Sequence, residues 1–103
     1  MEKSFYSVKL NDLENINQIL EHKDVLVNEY FYYSDLLLEG KLTPYKEEVH
    51  KFYKYVSNFA REVSFESNFG NKYNYHPMVT KDLKQCKDTL LIAKGSIADL
   101  LLL

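Results

Sequence analysis

The chain has one cysteine, two prolines, three glycines and no tryptophan among its 103 residues. A lone thiol, Cys86, forms neither an internal disulfide framework nor a multi-cysteine metal site. Gly40, Gly70 and Gly95 stand isolated from one another, so there is no glycine-rich phosphate loop. No window reaches the roughly 18 uncharged apolar residues of a membrane helix. Leu100 to Leu103 is far too short, and no membrane partner is expected. Met1-Glu2-Lys3-Ser4-Phe5 lacks the apolar stretch of a secretory signal, which makes the cytoplasm the expected location. Arginine is almost missing: Arg61 stands against 12 lysines, and alanine occurs three times. Tyrosine and asparagine, at 9 and 8, replace them in frequency. That is the codon bias of an AT-rich genome, such as a low-GC bacterium, its phage or another mobile element.

What is present belongs to a folded protein. Apolar residues make up 46% and charged residues 27%, which excludes disorder by composition, and the length suits a single domain. Charge is uneven. Residues 1–40 carry 3 lysines against 8 acids, and residues 41–103 carry 10 basic residues against 7 acids. A solvated surface explains such a split, and so does a basic end that meets an acidic partner.

Three segments have helical periodicity. In the first, predicted over about 11–39, Asn11 is placed to cap the orphan N–H groups and Asp12 and Glu14 to face the positive helix end. Leu13, Ile16, Leu20, Val27, Phe31 and Leu38 fall within a ~60° arc and are the expected core face. Ile19, Leu26, Tyr30, Tyr33 and Leu37 widen it on one side, and Gly40 ends the helix. The second helix, predicted over 44–66, opens with Thr43-Pro44 and then Glu47-Glu48. Val49, Phe52, Tyr53, Val56, Phe59, Ala60 and Val63 follow at helical spacing. The third, predicted over 78–102, carries Val79, Leu83, Cys86, Leu90, Ala93, Ile97 and Leu100 in a 4-3 repeat. Residues 67–77 lack a stripe and read as a long loop, and residues 1–9 read as an extended arm. The expected fold is all-α, an antiparallel three-helix bundle.

Little of the chemistry-bearing inventory converges. Glu47 and His50 make the only E-x-x-H, a pattern that di-iron bundles need twice, and both point away from the apolar row. His22 and His76 lie far from it in sequence, so no metal and no cofactor is expected. Cys86 sits on the core row, where a thiol is inert. Catalysis is therefore not expected.

Surplus apolar surface is the positive clue. Tyr30-Phe31-Tyr32-Tyr33 covers about 300° of helix azimuth, too wide for one core face. Tyr32 aligns with Val25 and Leu36 on the far side. Leu91, Gly95, Ala98 and Leu102 trace a second row about 120° from the core row of the third helix. Such patches mark contact sites. The expected partner surface is Val25, Tyr30, Tyr32, Tyr33 and Leu36 with the loop rings Phe69, Tyr73 and Tyr75. Leu91, Ala98 and Leu102 are the expected self-association row of a homodimer. These features predict a protein that binds a heterologous protein, a second copy, or both. Small stoichiometric inhibitors such as immunity proteins, antitoxins and phage anti-defence proteins share this physical type. The alternative is a nucleic-acid-binding regulator with Lys51, Lys54, Arg61, Lys81, Lys84 and Lys87 on one basic face.

Overall fold

Helix signals in the sequence become three long helices and a wedge. A computed structural model describes residues 4–70, 72, 73 and 76–103. It contains α1 (Ile16–Leu38), α2 (Lys46–Phe69) and α3 (Pro77–Leu101), with single 3-10 turns at Ser4–Ser7, Leu10–Asp12 and Thr43–Tyr45. The fold is an all-α three-helix bundle in which α3 packs against both other helices.

The start of α1 is later than expected. Asn15, not Asn11, is the cap: its backbone is extended and its side chain accepts the Gln18 N–H at 3.0 Å. Gln18 reaches back to accept the Glu14 N–H at 2.7 Å, a reciprocal pair that fixes the entry. Residues 10–12 are committed elsewhere. The Asp12 carboxylate accepts the Lys9 N–H at 2.9 Å and closes a 3-10 turn that buries Leu10. At the other end, the Lys41 N–H bonds the Leu36 carbonyl and the Gly40 N–H bonds the Leu37 carbonyl. This double closure requires a left-handed residue, and Gly40 supplies it with φ +71°.

The second helix runs to Phe69, three residues beyond expectation, which shortens the loop. Its last turn is held by the Glu66 carboxylate, which accepts the Lys72 N–H at 3.0 Å, and by a Gly70 N–H bond to the Glu66 carbonyl. The third helix starts at Pro77 with His76 as an unforeseen cap, its Nδ1 accepting the Met78 N–H at 3.1 Å.

The core rows of α2 and α3 match the periodicity. Val49, Phe52, Val56, Phe59, Ala60 and Val63 are buried on α2, as are Leu83, Cys86, Leu90, Ile97 and Leu100 on α3. On α1 the expected face is displaced: Ile19, Leu26 and Tyr33 of its widened side are buried, but its centre is not. The buried row is Ile19, His22, Leu26, Glu29 and Tyr33, whereas Phe31 is 55% and Leu38 82% exposed. What rotates the helix is the company it keeps. His22 meets the Tyr55 and Phe59 rings, and Tyr33 meets the Phe52 ring. Aromatic contacts across the α1–α2 groove draw the centre of the buried face away from the aliphatic row, whose Leu13, Ile16 and Leu20 pack against the core from its edge.

The residues before α1 fill that groove. Phe5 inserts its ring between those of Phe52 and Tyr55, at 5.9 and 5.7 Å. Rather than an extended arm, residues 4–13 form a turned strap seated on the bundle.

Candidate partner-binding site

The strap is held by side chains that reach its backbone. The Tyr55 hydroxyl donates to the Val8 carbonyl at 2.6 Å, and the Leu10 N–H donates to the Glu62 carboxylate at 3.1 Å. The Tyr73 hydroxyl is shared between the Leu10 and Leu13 carbonyls. Lys72 Nζ adds a 3.3 Å bond to the Asn11 carbonyl. Segments from both sides of the chain thus clamp one short stretch of backbone.

Behind the clamp lies His22, with Nε2 2.7 Å from the Tyr55 hydroxyl. A carbonyl can only accept, so the Tyr55 proton goes to Val8 and the hydroxyl can only accept from the imidazole. His22 therefore carries its proton on Nε2. Burial lowers its pKa from the ordinary value. The unfolded chain then takes up a proton at this position near pH ~6.5, before the folded protein does. The stabilisation from neutral His22 is complete above that pH and is lost as the pH falls toward the lowered folded value. We expect urea midpoints to fall between about pH 7 and about pH 5, and His22→Gln to flatten that slope. An equal slope in both proteins would remove His22 as its source.

The expected partner surface is divided by the structure. Val25 and Tyr32 are exposed on α1, one heptad apart, with half-buried Leu36 one turn beyond Tyr32, whereas half-buried Tyr30 lies about 160° around the helix and beside Phe31. Val25, Asn28, Glu29 and Tyr32 line a shallow depression of about 430 Å³ whose opposite wall is Ser4 and Phe5 of the strap. Tyr33 is not part of this surface: it is buried against Phe52. Tyr73 is likewise buried, because its hydroxyl is the clamp on Leu10 and Leu13. Phe69 is outward, 77% exposed, but it closes α2 rather than belonging to the loop. Tyr75 lies outside the described residues.

No protein-family model, curated protein or solved structure matches this chain.

Leu91 and Leu102 are exposed on α3, Ala98 is half-buried, and a Cβ built on Gly95 meets nothing within 4 Å. The second row of α3 is therefore not used inside the bundle. Of the six cations proposed for a basic face, Lys51, Lys54, Arg61, Lys81 and Lys84 are exposed and Lys87 is half-buried. Lys51 Nζ sits 5.8 Å over the Tyr6 ring, and Arg61 donates to Asn58 at 2.9 Å.

Cys86 is buried, and desolvation pushes its thiol up to about 11, with Lys23 opposing and Asp24 adding to the shift. The thiolate needed for nucleophilic attack is thereby disfavoured. Among the described residues no three His, Cys, Asp or Glu side chains are placed to hold a metal ion. Among them also, no helix is long and apolar enough to cross a membrane.

Sequence reasoning missed Phe65, 63% exposed and 5.5 Å from Phe69. The signal was present: Phe65 and Phe69 are four apart and both fall off the Val49-to-Val63 row.

Proposed function

We propose that this chain is a non-catalytic protein-binding protein, a stoichiometric inhibitor or regulator of the immunity, antitoxin or phage anti-defence type. The observation that supports it is the depression between the strap and α1. There Tyr32, 44% exposed, and Val25 offer apolar area beside a concave wall. Rigid aromatic rings with few rotatable bonds lose little entropy on docking, and they dominate binding energy where they fill a partner's pocket. The mechanism is occlusion: the face covers a functional surface of the partner and needs no reaction.

The test is light-scattering molar mass of the purified protein, alone and with its affinity-captured partner, followed by titration of Tyr32→Ala. Loss of the Tyr32 ring, which also touches the Tyr33 ring at 5.4 Å, should weaken binding by more than about 1 kcal/mol while lowering the urea midpoint far less than Phe52→Ala does. A partner bound equally well by Tyr32→Ala would overturn this reading of the face. A stable homodimer that Leu102→Asp dissolves would instead assign the exposed row of α3 to self-association.

A further inference from the structure

The depression beside Val25 and Tyr32 has charge of one sign. Among the described residues its walls are Ser4 and Phe5 of the strap and Val25, Asn28, Glu29 and Tyr32 of α1, so that charge is negative. The helix surface around it has the same sign. At 100° per residue, Glu21 and Asp35 fall within about 60° of Tyr32, and both are exposed. Neither forms an ion pair among the described residues.

The cations of this region point elsewhere. Lys23 is the one basic residue of α1. It stands about 180° around the helix from Tyr32 and is paired with Asp24 at 3.0 Å. Lys41, beyond the helix end, is engaged with Glu39 at 3.6 Å. Lys51 of α2 sits over the Tyr6 ring and does not line the depression.

Glu21 and Asp35 are about 21 Å apart along α1, with Val25 and Tyr32 between them. An apolar centre inside a polar rim is the layout of a protein interface, and here the rim carries one sign. Rim charges select the partner and speed its encounter, whereas a buried ring holds it.

We infer that the Val25–Tyr32 face docks on a basic protein surface, one with an apolar pocket for the Tyr32 ring flanked by lysine or arginine that meets Glu21 and Asp35. Long basic side chains suit such a face, because their stems cover apolar area beside Val25 while their heads reach the carboxylates. The inference rests on the reading of this face as the partner site and adds the chemistry of what binds there.

Random dodecapeptides displayed on phage and panned against the intact protein supply the probe. Enriched peptides that Tyr32→Ala no longer binds should carry lysine or arginine on both sides of an aromatic or aliphatic residue. A synthetic copy should bind the double variant Glu21→Lys and Asp35→Lys about tenfold or more weakly, and its affinity for the parent should fall with added salt. Both positions are exposed, so the thermal melt of the double variant should overlay that of the parent. Peptides lost in Tyr32→Ala but lacking a basic consensus, or bound equally by the double variant, would overturn the inference and leave the α1 face as the partner site. Failure to enrich any peptide sensitive to Tyr32→Ala would overturn it together with that reading. A dimer of the free protein that the double variant dissociates, read by light scattering, would also overturn it by assigning the face to a second copy.

Discussion

Phe52→Ala should lower the free energy of unfolding by about 3–5 kcal/mol, the largest single effect expected in this chain. The ring is fully buried where three parts of the fold meet: Phe5 of the strap at 5.9 Å, Tyr33 of α1 at 5.6 Å, and α2 itself. Truncation removes transfer free energy and leaves a cavity walled by other rings, which are too large and too constrained to collapse into it. A domain of this size is stable by only about 5–15 kcal/mol, so the variant should lose a large share of its margin. Urea unfolding followed by far-ultraviolet circular dichroism measures the change. A shift of less than about 1 kcal/mol would mean that the groove closes without Phe52 and that the rings are not what holds α1 to α2.

The weight placed on rings explains which parts of the fold were legible beforehand. On α2 and α3 the buried residues are almost all aliphatic or Phe, and their 3.6-residue repeat is visible to any apolarity count. On α1 the same count selects the Leu20–Val27–Phe31–Leu38 side, because that side is more uniformly apolar. The buried side contains His22 and Glu29, which register as polar and break the pattern. What makes His22 a core residue is its Tyr55 partner, 33 positions away, and no local window contains that information.

The same limit applies to the candidate sites. Tyr32 and Val25 were readable as surplus because they sit far from the aliphatic stripe of α1; relative to the buried row they stand at its edge, where Glu29 lines the same depression. Tyr73 was unreadable. A tyrosine in a turn-rich segment is equally suited to solvent, a partner or a clamp, and only the two carbonyls at Leu10 and Leu13 decide among them. The cleft between Leu10 and Glu62 is likewise built from segments 52 residues apart and lacks a sequence motif. It depends on Glu62 tying down the strap and Glu66 the segment after α2.

Tyr55→Phe isolates the hydroxyl that joins these parts. The substitution keeps the ring and its contacts with Phe5 and Phe59 while removing one oxygen. That oxygen bridges the Val8 carbonyl and the His22 Nε2–H, so its loss leaves an acceptor and a donor without their partner in a part-buried place. Leaving such groups unsatisfied costs about 1–3 kcal/mol, more than the net value of the hydrogen bonds themselves. Where the loss falls is as informative as its size. If the hydroxyl fastens the strap, native-state hydrogen exchange should quicken first at the Leu10 amide, which is otherwise closed by Glu62. The buried α2 and α3 amides should change only in step with global stability. Unchanged exchange at Leu10, together with an unchanged urea midpoint, would mean that Phe5 and Leu10 burial alone seats the strap. The Tyr32 depression takes one wall from the strap, so loosening the strap should weaken partner binding at that face. Equal partner binding by Tyr55→Phe, with Leu10 exchange increased, would place the contact energy on α1 rather than on the strap.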